Sequence, residues 1–144
     1  MMFIMAVVNP VTRLPMLRPV SIFRGLPKAT LFEVARNSVE VEYPAGATLV
    51  RQGDPGDALC VVTKGKVDVH RDDHFVRQLT AGDYFGEISL IDGEPRSATV
   101  VAVSEVVLLE LSSSDFASLL SDPYVSTMVM KNLARLVREA ENAQ

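Results

Sequence analysis

From Tyr84 to Val100 the chain reads YFGEISLIDGEPRSATV. A turn signal, Ala81-Gly82-Asp83, opens this stretch, and an apolar β-like run, Ala98 to Val103, closes it. Between them stand the acid Glu87, directly after a glycine, and one guanidinium, Arg96. Gly86 has no Cβ, so the main chain there can approach a ligand closely. If Ile88 and Ser89 begin a helical turn, their N–H groups are free to hold an anion. Arg96 carries a planar fork that matches two phosphate oxygens. Ionised Glu87 only accepts hydrogen bonds, so it suits a hydroxyl. An anion site beside a hydroxyl site describes a sugar phosphate.

The stretch resembles the phosphate-binding cassette of the cyclic nucleotide-binding domain family, the cAMP and cGMP sensor domain of the catabolite activator protein and the protein kinase A regulatory subunit. The family pattern is close to F-G-E-[LI]-[AGS]-L, a spacer, then R-[AST]-A. Here it is Phe85-Gly86-Glu87-Ile88-Ser89-Leu90 and Arg96-Ser97-Ala98. The blander alternative makes Glu87 and Arg96 a surface ion pair beside a structural glycine. The resemblance extends to YPAGATLVRQGDPGDALCVVTKGKVDV, Tyr43 to Val69, and covers about Phe23 to Glu141.

The resemblance implies a mainly β fold, a jelly-roll-like β-roll with an N-terminal helix and C-terminal helices that move with the ligand. It implies that Arg96 grips the exocyclic phosphate oxygens and Glu87 the ribose 2′-hydroxyl. Backbone N–H groups of Gly86, Glu87, Ile88, Ser89, Ser97 and Ala98 would complete the nest. Val69 and Val76 match positions that face the base, with plain core valines as the alternative. Serine at 97 favours cAMP, whereas threonine there accompanies cGMP preference in part of the family; a cGMP sensor is the runner-up. A second alternative is a ligand-independent interaction or dimerisation module on the same fold.

Length and composition agree with a small globular protein. The 144 residues suit one domain, 48% hydrophobic and 22% charged. We expect an irregular tail over 1–20 and the binding domain over 21–144. A net charge of −4 argues against a nucleic-acid-binding surface but not against one small anion. The single cysteine, Cys60, lies in an apolar run and reads as an inert core thiol in a reducing, cytoplasmic setting. The apolar start, Met1 to Val8, is too short to span a bilayer; it reads as a tail or as the stub of a linker in a larger effector or membrane protein.

Val39 to Tyr43 alternates apolar and charged residues, the period of a half-buried strand. Short strands follow at Thr48–Val50, Ala58–Thr63, Val67–His70, Phe75–Leu79 and Val106–Leu111, cut by Gly, Pro and Asp turns. Helices are expected over Leu26–Asn37, over Asp115–Leu120 behind a serine cap, and from Asp122-Pro123 onward. Along the last helix Val125, Met128, Val129, Leu133, Leu136 and Val137 form a stripe, either core or a homodimer seam. Enzyme chemistry is poorly supported. His70 and His74 are too few for a metal centre, and both are solvated if Asp72-Asp73 is a hairpin tip. We expect no cofactor beyond the ligand.

Overall fold

Ala58 to Val62 and Val106 to Leu109 are continuous apolar runs, too unbroken for strands with one wet face. The computed structural model, which describes Phe3–Ile4 and residues 10–142, shows both strands covered on both sides. Its strands are β1 (Phe3–Ile4), β2 (Val39–Tyr43), β3 (Thr48–Val50), β4 (Ala58–Lys64), β5 (Val67–Arg71), β6 (His74–Leu79), β7 (Tyr84–Phe85), β8 (Thr99–Ala102) and β9 (Val106–Ser112). Its helices are α1 (Pro10–Leu17), α2 (Lys28–Asn37), α3 (Glu87–Asp92), α4 (Ser113–Leu120) and α5 (Pro123–Asn142), with a 3-10 turn at Ser21–Phe23.

One antiparallel sheet runs β1-β2-β9-β4-β7 and the other β3-β8-β5-β6. In the first sheet, Leu59 and Val61 of β4 and Leu109 and Leu111 of β9 face a core shared with the helices. The alternate residues Ala58, Cys60, Val62, Val106 and Leu108 face the interior of the roll and meet Val67, Val69 and Val100 of the second sheet. This is the β-roll with flanking helices expected from the cassette.

The helix ends follow local chemistry. Ser112 accepts a hydrogen bond on Oγ from the Asp115 N–H and caps α4. Asp122 accepts from the N–H groups of Tyr124 and Val125 and starts α5. The stripe on α5 splits. Val125 and Val129 are buried, Met128 and Leu133 pack against the helical core, and Val137 is exposed. Asn132 is buried between them and donates to the carbonyls of Ile22 and Arg24, tying α5 to the 3-10 turn.

Three expectations are corrected. The prolines of Met1 to Val20 predict an irregular tail, but over Pro10–Leu17 the chain is helical. Pro10 occupies the first helical position, where a missing N–H costs little. Pro15 lies inside the helix, and burial of Leu14 and Leu17 outweighs its cost. Arg13 is buried with them and donates from Nη1 to the Ala35 and Ser38 carbonyls at the end of α2. The remainder of Met1–Val8, apart from Phe3–Ile4, lies outside the described residues. Second, Asp72 and Asp73 form the β5–β6 hairpin tip with positive φ, yet His70 is half-buried, its ring edge-on to Phe75 at 5.9 Å; only His74 is exposed. Third, Val76 does not line the cavity at which the other expected site residues meet, as described below. Among the described residues no helix is long and apolar enough to cross a membrane.

Candidate functional site

Strand β7 is followed by Gly86, whose φ of 96° lies in the left-handed region that favours glycine. This bend turns the chain directly into α3 and leaves the helix start without a side-chain cap. A Cβ at Gly86 would lie 2.5 Å from both the Ala58 carbonyl oxygen and Arg96 Nη1. Gly56 is equally constrained from the other side, where a Cβ would lie 2.3 Å from Ser89 Cβ. The two glycines create the slot that Arg96 occupies.

Arg96 is 6% exposed. Its Nη1 and Nη2 both donate to the Ala58 carbonyl at 3.3 Å, and Nη2 lies 3.6 Å from Asp57 Oδ1. Its Nε is buried and has no partner among the described residues. A guanidinium has five N–H donors, and a buried donor left unpaired is costly. The main chain around Arg96 is also pinned. Arg96 N–H donates to the Asp54 carbonyl and its own carbonyl accepts from Gly53 N–H. The Arg51–Asp57 loop is held in turn by Gln52, whose side chain both donates to Asp72 Oδ1 and accepts from the Asp72 N–H.

Arg96 faces a cavity of about 120 Å³ that it lines together with Gly86, Glu87, Ile88, Ser89, Ser97, Ala98 and Val69. Eight of the nine sequence-derived site residues therefore converge: Gly86, Glu87, Ile88, Ser89, Arg96, Ser97, Ala98 and Val69. Val76 does not. Val69 pairs with Arg77 and His70 with Phe75, so Val76 is the extra residue of a β-bulge and is 45% exposed. The bulge brings Arg77, not Val76, to the cavity wall. Arg71 also lines the cavity, its Nε donating to the Ser97 carbonyl.

Burial raises the pKa of Glu87, while its own backbone N–H, Arg77 and Arg96 pull it back. A partly desolvated acceptor beside two guanidiniums is arranged for a hydroxyl donor. The residues missed from sequence are Gly56, Asp57, Arg71 and Arg77. Gly56 and Asp57 read as turn formers within Gly53-Asp54-Pro55-Gly56-Asp57, and their repeated Gly-Asp pattern was the available signal. No local signal marks Arg71 or Arg77, which reach the cavity only through strand register.

Next to the site lies a larger cavity of about 470 Å³, bordered by Leu133, Leu136, Val137 and Ala140 of α5. It shares Arg77, Glu87 and Ile88 with the first. Cys60 is buried in the roll, and burial pushes its thiol pKa far above the ordinary value. Among the described residues no group of three or more His, Cys, Asp or Glu side chains could hold a metal ion.

This geometry has parallels in known proteins. A family model described as the cyclic nucleotide-binding domain matches residues 40–122. A cyclic nucleotide-gated potassium channel of Rhizobium etli is 42% identical over 113 residues, 78% of this chain and 32% of the channel. The chain thus spans about a third of that channel's length. The N-terminal domain of a transcriptional regulator from Streptomyces coelicolor superposes with a TM-score of 0.76 at 36% identity, over 90% of this chain and 94% of that one. The regulatory domain of Toxoplasma gondii PKA, crystallised with cAMP, gives a TM-score of 0.78 at 28% identity, over 88% and 50% of the two chains. The family match takes in β3 to β9, all of β2 but its first residue, and the whole Arg96 cassette, and this chain belongs to the cyclic nucleotide-binding domain family.

Proposed function

We propose that the chain is a regulatory sensor that binds cAMP, with no reaction of its own. The observation that carries this reading is Arg96, a buried guanidinium whose Nε has no partner among the described residues, held against the Ala58 carbonyl and facing a cavity. In this reading Arg96 and the N–H groups of Glu87, Ile88, Ser89, Ser97 and Ala98 hold the cyclic phosphate. Glu87 accepts from the ribose 2′-hydroxyl, and Val69 meets the sugar or base. The cavity of about 120 Å³ encloses the sugar phosphate, and the base extends toward α5.

Ligand binding favours one placement of α5 over another, and that difference is the output. The sensor serves a larger effector in the cytoplasm, in keeping with the short span of the channel that the chain matches. A homodimer through the α5 stripe would offer a second route for the same signal.

Arg77 favours a second reading, a cGMP sensor. A guanidinium pairs well with the O6 and N7 acceptors of guanine, and Arg77 lines the cavity opposite Val69. Calorimetric titration of protein cleared of co-purified nucleotide, with cAMP and with cGMP, tests both readings. Tighter binding of cAMP supports the first reading and tighter binding of cGMP the second. Flat traces at millimolar concentrations of both refute a nucleotide sensor and favour a ligand-independent module.

A further inference from the structure

A carboxylate sits inside the roll where the strand pattern calls for an apolar side chain. Along β9, Val106 and Leu108 face the roll interior, and Glu110 continues that inward series. Its carboxylate accepts a hydrogen bond from the Tyr43 hydroxyl at 3.0 Å. Glu110 and Tyr43 line a cavity of about 270 Å³ with Asp57, Cys60 and Arg96. Among the described residues only Arg96 and Val50 line both this cavity and the nucleotide cavity, so they form the partition between the two. Arg96 is the only charged group in that partition. One guanidinium thus has the phosphate pocket on one side and an interior carboxylate on the other.

The groups facing Glu110 come from four segments. Tyr43 on β2 donates to it, Asp57 before β4 carries a like charge, Cys60 on β4 is a buried thiol, and Arg96 is the only cation among the described residues that line the cavity. Burial raises the pKa of Glu110. The Tyr43 hydrogen bond lowers it, Asp57 raises it and Arg96 lowers it.

We propose that Glu110 is a positioning residue for Arg96, and that its carboxylate takes up a proton from solvent when a cyclic phosphodiester binds the opposite face of the guanidinium. This rests on the nucleotide reading above. Before a phosphodiester binds, the Arg96 charge offsets Asp57 and Glu110. The phosphodiester adds a negative charge, which it keeps across neutral pH, and it engages the same cation. Two like charges then flank one guanidinium, and the neutral form of Glu110 is favoured more than before. A group that holds its proton more tightly in the complex makes affinity rise as pH falls through the interval between its free and bound pKa values.

The test is calorimetry of the full chain with cAMP between about pH 5.5 and about pH 8, in buffers of different ionisation enthalpy, which counts protons. Wild-type protein should take up protons, and its affinity should fall about tenfold with rising pH for each pKa unit gained on binding. Glu110→Gln should show less uptake, a flatter profile and tighter binding than wild type at the high end. Tyr43→Phe removes a donor that favours charged Glu110, so it should move the fall in affinity to higher pH. That variant keeps the test informative if Glu110→Gln disturbs the fold. Glu87 also titrates, but it is present in all three proteins and cancels in the comparison. The same slope and proton count in wild type and Glu110→Gln would overturn the proposal while leaving nucleotide binding intact. Absence of binding at every pH would overturn both.

Discussion

Gly86 and Arg96 are packed so closely that a single methyl group on Gly86 would sit 2.5 Å from Arg96 Nη1. The glycine is required twice over, because its φ of 96° is also a conformation that L side chains rarely adopt. Gly86→Ala should therefore destabilise the fold by about 1–3 kcal/mol and move the guanidinium. Thermal unfolding together with cAMP titration checks this. An unchanged melting temperature with unchanged affinity would show that the slot is looser than described.

Arg96 and Glu87 should not contribute equally to binding. Arg96→Ala leaves a phosphate charge without its buried partner and should cost about 2–5 kcal/mol of binding free energy. Glu87→Gln keeps an acceptor for the ribose hydroxyl, though a neutral and weaker one, and should cost less. Equal and small losses in both variants would place the ligand elsewhere.

The raised pKa of Glu87 has a pH signature in stability. The folded protein holds this proton more tightly than the unfolded chain, whose glutamate titrates near 4.5. Its contribution is therefore fully present below that value and is lost as pH rises through the raised folded value. Relative to wild type, Glu87→Gln should gain stability as pH rises across that window. Urea unfolding of both proteins over the acidic range measures the difference, and parallel curves would contradict it.

Asn132 should act as a latch. Its amide donates to the Ile22 and Arg24 carbonyls at 3.0 and 2.9 Å, and it is 1% exposed. Asn132→Ala leaves these carbonyls without their donor and should cost about 1–3 kcal/mol of stability. Hydrogen exchange should show α5 loosened more than the roll. Uniform loss of protection across both would argue against a local latch.

The end of α5 should serve as a lid. Val137 and Ala140 border the cavity that adjoins Glu87 and Arg77, and Val137 is 59% exposed. Tyr124, the only aromatic residue of α5, lies about 20 Å away along the helix and cannot stack on a base there. Removing residues 137–144 should weaken cAMP binding by roughly 1–3 kcal/mol if Val137 covers the base, with dependence on Arg96 retained. Discrimination between cAMP and cGMP should be modest in the full chain. Unchanged affinity and base preference after truncation would leave α5 as an oligomer seam or output surface.

The cassette was legible from sequence because its parts are local. Gly86, Glu87 and Arg96 lie within eleven residues, and glycine and guanidinium chemistry depends little on what surrounds them. The strands were legible because alternation and turn residues act over a few positions: β2 and β3 fall where the pattern places them, and β4, β5, β6 and β9 extend by one residue. Tertiary structure decided the rest. Helix α1 forms despite Pro15 because Leu14 and Leu17 find a core built by residues far along the chain. Val76 leaves the site and Arg77 enters it because a bulge shifts register by one residue, and a strand's side chains change face at every position. Gly56 meets Ser89, Asp57 meets Arg96, and Glu110 comes to lie behind that same guanidinium. Sequence spacing carries no trace of such contacts; they exist only once two sheets close around a shared interior.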